Sequence, residues 1–260
     1  MKNSSYISES AEIDKSVKIG PFCYIGKNVK IAKNCNLISH VHLNGNTTVG
    51  ENNTFYPFCT IGSAPQDLKY NGEKNFLNIG NNNTFRENVT VNPGTAGGGL
   101  KTIIKDNCLF MVGSHIAHDC YIESNVILAN NATLAGHVEI NNNVIIGGNS
   151  AIHQFVKIGQ YSMIGGMSGV EKDIIPYGLY IGIRTNLKGI NLIGLKRKGL
   201  SNKSINEINL AVKEIFNKNN SIEKNIKLLS NEYKLIKEIN EIISFIQKNN
   251  KRGLSIITND

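Results

Sequence analysis

The amino-acid sequence predicts a mainly β protein: a parallel β-helix of hexapeptide repeats with a small α-helical C-terminal domain. Three observations predict it. An aliphatic or aromatic residue returns at every sixth position, Gly and Asn gather between these positions, and both the period and the charge change after about residue 187.

The six-residue period runs from Ile7 through Ile13, Ile19, Ile25, Ile31, Leu37, Leu43, Val49 and Phe55 to Ile61. It resumes at Ile79, Phe85 and Val91, and again from Ile104 through Ile116, Leu134 and Ile152 to Val170. A period of six fits neither the helical 3.6 nor the coiled-coil 3.5, and it is the mark of a hexapeptide β-helix. Each hexad supplies a short strand and a corner, and three hexads close a coil of about 18 residues. Asn52-Asn53, Asn81 to Asn83 and Asn141 to Asn143 suit corners, because Asn tolerates positive φ. The fifth position of the hexad is expected to face inward, as at Val29, Val41, Ala132, Val138 and Val144. All five cysteines (Cys23, Cys35, Cys59, Cys108 and Cys120) fall on it, which reads them as small buried hydrophobes. Two stretches interrupt the period and are expected to loop out, 62–78 and 92–102, the second with Gly94, Gly97, Gly98 and Gly99. Long loops on a rigid scaffold usually carry function. The regular coil is expected to end near Pro176.

The chain thus divides into a β-helix over 1–187 and a helical domain over 188–260. Ser204 with Glu207 reads as a capping box opening a helix to about Lys218, Ser221 opens a second, and Lys234 to Lys248 carries a helical apolar pattern. The formal charge is +8. Residues 1–186 hold 14 Lys+Arg against 13 Asp+Glu, and residues 187–260 hold 14 against 7, so the basic charge lies in the tail. With 40% hydrophobic and 18% charged residues the chain is not a disordered one. The longest apolar run, Ile174 to Ile183, contains Pro176 and Gly178 and is too short to span a membrane. Neither a signal peptide nor a CxxC motif is present, so a soluble cytoplasmic protein without a disulfide framework is expected.

In a coil of about 18 residues, residue i lies beneath i+18, about 4.8 Å away. His118, Gly136 and Gln154 then form one column, Ala117, Ala135 and His153 a second, and Asp119, His137 and Phe155 a third. His115 lies on the adjoining strand, so four of the six histidines share one patch. A single His at a corner is as readily a polar surface residue as a functional one, but four with an Asp and a Gly point to chemistry. Zinc is the rival, and the spacing does not match the His-x4-His pair of the trimeric β-helical carbonic anhydrases, so no metal is expected. Acid–base chemistry fits better. A neutral imidazole can accept a proton from a sugar hydroxyl, and a backbone N–H at Gly136 can meet a developing oxyanion. Such a pair suffices for acyl transfer without a Ser or Cys nucleophile.

Several runs carry a resemblance: Ile116-Ala-His-Asp-Cys120, Leu128 to His137, Ile152-His-Gln-Phe155, Gln66-Asp-Leu-Lys-Tyr70 and Gly194-Leu-Lys-Arg-Lys-Gly199. Together they resemble the UDP-N-acetylglucosamine O-acyltransferases, over essentially the whole chain. The resemblance implies a left-handed β-helix, a homotrimer with sites between subunits, and the first step of lipid A biosynthesis. It implies His118 as general base and the Gly136 N–H as oxyanion donor; an acidic neighbour, Asp119 or one from a packed subunit, can orient the imidazole. Gln66, Asp67, Lys69, His115, His137, His153 and Gln154 match substrate or acyl-phosphopantetheine contacts. Asn191 and Arg197 match nucleotide and phosphate contacts, with Lys198 where a second Arg is common. Gly166 matches the position that measures the acyl chain. The implied partners are acyl carrier protein and UDP-N-acetylglucosamine, with no cofactor. The Lys196-Arg197-Lys198 run has no interleaved aromatics, so nucleic acid is not expected. A nucleotide-sugar N-acyltransferase using the same scaffold, and a solenoid without catalysis, are the two alternatives.

Overall fold

A computed structural model describes residues 4–248 and 252–256. Short parallel strands stack in three sheets of nine, eight and ten strands, which form the faces of a triangular prism. Through the hexapeptide coils each strand neighbours the one three places away in the sequence, so Tyr6 pairs with Tyr24, Glu12 with Lys30 and Lys18 with Asn36. The two insertions displace the numbering without breaking the ladder: Thr60 pairs with Thr90, and Thr90 with His115.

The sixth-position residues fill the prism. Phe55, Phe85 and Phe110 are fully buried and stacked, with ring centroids 4.8 and 4.9 Å apart. Deleting the middle ring should cost on the order of 3–5 kcal/mol, as large-to-small core changes do. Thermal or urea unfolding of Phe85→Ala checks this, and a loss below about 1 kcal/mol would show that the core closes around the void. The fifth-position cysteines are all buried and unpaired. Burial pushes the thiols of Cys59 and Cys120 up to about 12 and that of Cys108 to about 11, so none serves as a nucleophile.

Corners are turned by a residue with positive φ at the fourth hexad position, usually Asn: Asn28, Asn34, Asn52, Asn82, Asn125, Asn131 and Asn143. On one edge the same role falls to Asp119 (φ 59°), His137 (61°) and Phe155 (65°). The same conformation recurs at Phe22, His40, Phe58, Tyr161 and Met167 on the other edges, so it follows the corner geometry.

The extruded segments are shorter than the sequence suggests. Strands begin at Phe76 and at Lys101. The reason is lateral pairing: Asn46–Val49, Phe76–Ile79 and Lys101–Ile104 are longer strands that pair along four residues. The end of the prism is closed by Gly178–Ile181 and an antiparallel strand, Asn186–Ile190, which crosses position 187.

Five α-helices follow among the described residues: α1 (Leu192–Arg197), α2 (Asn202–Ile215), α3 (Ile222–Leu228), α4 (Asn231–Lys234) and α5 (Lys237–Gln247). The cap of α2 is Ser201, whose hydroxyl accepts from Ser204 N at 3.1 Å, so this helix opens before the expected Ser204. It stops at Ile215 rather than Lys218, where the Asn225 amide donates to the carbonyls of Ile215 and Asn217. Ser221 caps α3 as expected. The last apolar run opens with Leu235 and Ile236 in the break between α4 and α5, and the rest of it lies in α5. No helix among the described residues is long and apolar enough to cross a membrane.

The C-terminal segment returns to the prism. Asp173 N donates to Gly253 O at 2.8 Å and Ser255 N to Asp173 O at 2.9 Å. The fully buried Asp173 carboxyl accepts from Lys157 N on Oδ1, while Oδ2 has no hydrogen-bond partner among the described residues. Burial pushes this carboxyl from 3.8 up to about 6. A raised native value means that the stabilisation is full below 3.8 and is lost as pH rises through about 6. The melting temperature of Asp173→Asn should therefore climb relative to the native chain between pH 4 and 7. Parallel melting curves across that range would contradict this.

Candidate active site

The predicted columns form one patch on the edge where the first sheet turns into the second. His118 is buried, and its Nδ1 lies 2.8 Å from Asp119 Oδ2. An ionised carboxylate only accepts, so the proton sits on Nδ1 and the Nε2 lone pair is left to act as base. The His137 ring meets His118 edge-on at 5.0 Å and stacks on Phe155 at 4.3 Å. Gly136 lies against the His118 ring, where a Cβ would fall 2.4 Å from Cε1 and 2.6 Å from Nε2. Only glycine leaves room for the imidazole there.

The Asp119 side chain is fully enclosed. Its Oδ1 accepts from Thr95 N at 2.9 Å, and its Oδ2 accepts from Thr95 Oγ1 at 2.6 Å as well as from His118. Asp119 N donates to Thr102 Oγ1 at 2.8 Å. Neither threonine stands out in the sequence. The only signal was the glycine run, whose backbone must approach the carboxylate: a Cβ on Gly98 would fall 2.0 Å from Asp119 Cγ. An open cleft of about 630 Å³ adjoins the patch, lined by Gly97, Gly98, Asp119, His137, Phe155 and Lys157 among others.

His115 Nδ1 is 2.7 Å from Thr90 Oγ1 on the neighbouring strand. Burial holds its imidazole below the ordinary range, and the charge of His118 acts the same way. His153 and Gln154 are exposed. The Arg252 guanidinium contacts His153 Nδ1, a partner that sequence reasoning did not find. His118, Asp119 and His137 place ligand atoms within 4.8 Å of one another, a donor set that zinc tolerates. However, both Asp119 oxygens already accept protein hydrogen bonds, and His118 points its proton at one of them.

The other predicted residues lie elsewhere. Gln66 and Lys69 stand exposed on the first loop, where Asp67 Oδ1 accepts from Lys69 N at 3.0 Å and Leu68 is wholly exposed. Asn191 caps α1, accepting from Gly194 N at 3.0 Å and donating to Tyr161 O at 2.8 Å. With Arg197 it lines a groove of about 430 Å³ along the edge between the second and third sheets. Gly166 lies on the third edge, where a Cβ would meet Gly148 O at 3.2 Å. Within one chain, the structure therefore spreads the histidine patch, the nucleotide candidates and the chain-length candidate over three different edges.

Lys198, expected to meet substrate, lines the same groove as Asn191 and Arg197, half-buried and engaged with protein groups. Its Nζ is 2.7 Å from Glu238 Oε1 and 3.1 Å from the Tyr177 hydroxyl, and it sits over the rings of Tyr161 and Tyr177. Burial works against the Glu238 charge, but the bond from Lys198, a backbone N–H and the charges of Lys198 and Lys237 together hold the carboxyl below its ordinary range. Lys198 thus ties α1 to α5. Lys198→Met should lower the melting temperature while changing substrate KM less than Arg197→Met does, in a paired kinetic and thermal comparison. A larger KM effect from Lys198→Met would contradict this.

Hexapeptide coils around a carboxylate-held imidazole, with every cysteine buried and unreactive, define a hexapeptide-repeat acyltransferase. Family models agree: "Bacterial transferase hexapeptide (six repeats)" matches residues 101–136, and "Udp N-acetylglucosamine O-acyltransferase; Domain 2" matches 173–255. The chain is 49% identical to the acyl-[acyl-carrier-protein]–UDP-N-acetylglucosamine O-acyltransferase of Thermodesulfovibrio yellowstonii, covering 96% of this chain and 97% of that one. It is 48% identical to the Rickettsia canadensis enzyme of the same name, covering 96% and 95%. A crystal structure of a UDP-N-acetylglucosamine acyltransferase superposes with a TM-score of 0.93 at 43% identity, covering 98% of each chain. The Acinetobacter baumannii structure superposes with 0.92 at 41%, covering 96% and 97%. The chain belongs to the UDP-N-acetylglucosamine O-acyltransferase family and is an acyltransferase with a left-handed β-helix.

Proposed function

We propose that the protein transfers a 3-hydroxyacyl chain from acyl carrier protein to the 3-hydroxyl of UDP-N-acetylglucosamine, the first step of lipid A biosynthesis, in the cytoplasm. The observation that carries this reading is the 2.8 Å bond from His118 Nδ1 to Asp119, with the unsubstituted Gly136 against the ring. The names of the relatives supply the donor and acceptor classes.

In this reading His118 Nε2 takes the proton of the sugar 3-hydroxyl as its oxygen attacks the thioester carbonyl. The Gly136 N–H holds the tetrahedral oxyanion, and Asp119 stabilises the imidazolium. Collapse breaks the C–S bond, and the departing thiolate takes the proton back from Nε2. One ester forms, one thioester is lost, and no cofactor or metal is consumed. His115, His137, His153, Gln154 and the Gln66, Asp67 and Lys69 loop hold the acyl group and sugar, and Asn191 and Arg197 hold the nucleotide. Gly166 leaves room for a long chain. These groups lie on different edges of one prism, so a homotrimer, which sets the edges of neighbouring subunits together, completes the site.

Calorimetry with UDP-N-acetylglucosamine, followed by rates with 3-hydroxyacyl carrier proteins of several lengths and with acetyl-coenzyme A, tests the reading. Binding of the sugar nucleotide and a strong preference for the carrier-bound donor are expected. Preference for acetyl-coenzyme A, or no binding at all, would overturn it.

A further inference from the structure

The Gly-rich loop is the largest feature beside the site that the proposed mechanism leaves without a task. We infer that Thr95, at its centre, is a positioning residue that holds Asp119 in the one orientation that aims His118. This inference rests on the reading of His118 as the base.

A carboxylate oxygen has two in-plane lone-pair directions. On Asp119 Oδ2 both are taken, one by Thr95 Oγ1 at 2.6 Å and one by His118 Nδ1 at 2.8 Å. His137 Nε2 stands 3.9 Å from the same oxygen, outside hydrogen-bond distance, and is the competing donor. The Thr95 hydroxyl fills the direction that would otherwise be open to it. Thr95 N fixes the other oxygen, so a single residue clamps both ends of the carboxylate. Thr95 is 3% exposed, so water does not replace its hydroxyl cheaply.

The clamp is itself anchored. Next to Thr95, Ala96 N donates to Glu73 Oε1 at 2.9 Å, and Asn71 N donates to Glu73 Oε2 at 2.9 Å. Asn75 Nδ2 donates to Gly94 O at 2.8 Å, and Asn92 Nδ2 to Ser63 O at 3.1 Å. The loop bearing Gln66, Asp67 and Lys69 is therefore bonded to the loop that sets the base. Gly94 and Gly98 permit the approach, since a Cβ on either would strike Asp119.

The test is a kinetic cycle on the full-length protein with UDP-N-acetylglucosamine and a 3-hydroxyacyl carrier protein. Thr95→Val keeps the shape and removes the hydroxyl, and it should lower kcat by on the order of 10-fold to 100-fold, the cost of a misaimed catalytic group, with sugar-nucleotide KM nearly unchanged. Thr95→Ser should restore most of the rate. In an Asp119→Asn background, Thr95→Val should add little, because the two act as a unit. An unchanged kcat in Thr95→Val, failure of Thr95→Ser to recover it, or full additivity with Asp119→Asn would overturn the inference. If Thr95→Val does not fold, Thr95→Ala carries the same expectations. His118→Ala, run alongside, separates the two claims: if it stays active the base assignment fails, whereas inactive His118→Ala beside a normal Thr95→Val sinks only the clamp.

Discussion

His118→Ala should abolish turnover, with kcat down by on the order of 10²- to 10⁴-fold, the range for loss of a general base. Nothing else in the patch can replace it. Asp119 is committed to three donors and only accepts. His137 presents its ring edge-on to His118 and is packed flat against Phe155. His115 is engaged with Thr90, and burial disfavours its protonated form. The fold should survive, because His118 lies at a corner and the ladder there runs through backbone: His137 N still donates to His118 O. Circular dichroism and size-exclusion profiles like those of the native protein, with product formation lost, are the expected results. A variant within tenfold of native would show that the base lies elsewhere.

Gly136→Ala is the second. The added methyl would fall 2.4 Å from His118 Cε1 and 2.6 Å from Nε2, closer than real contacts allow. The ring has nowhere to retreat, since its Nδ1 is bonded to a carboxylate that is wholly enclosed. The imidazole must leave its bond or the corner must shift, and a displacement of about 1 Å at a reacting group costs about 10²-fold. Gly97→Ala is the matched control. It lines the same cleft, yet its Cβ would meet only Thr95 Oγ1, at 3.8 Å, and near-native rates are expected. Equal activity of Gly136→Ala and the native protein would mean that the His118 ring does not sit where the structure places it during the reaction.

The prism was legible because it is periodic. One inward residue in six set the sheets, and the cysteines checked the register by falling on a single inward position. The stacking of His137 on Phe155 and of Gly136 on His118 followed from adding 18, since no insertion lies between residues 104 and 170. That arithmetic fails across the two extruded loops, so neither Thr95 and Thr102 against Asp119 nor Glu73 against Ala96 could be placed from sequence. The partner of Lys198, Glu238, was equally out of reach, because it comes from α5, 40 residues further along the chain, a contact that no spacing encodes. The α2 start moved to Ser201 for a local reason: two serines three residues apart both fit a cap, and the earlier one lets Ile205 and Ile208 face the core.

Direct, base-driven esterification is the centre of the account, and locating the acyl group tests it most directly. The native protein is incubated with 3-hydroxyacyl carrier protein and UDP-N-acetylglucosamine, and both the small-molecule product and the intact chain are examined by mass spectrometry. The expected result is a base-labile ester on the sugar 3-oxygen and a chain without an acyl adduct. An acylated amine, or an acyl group on the protein itself, would contradict it.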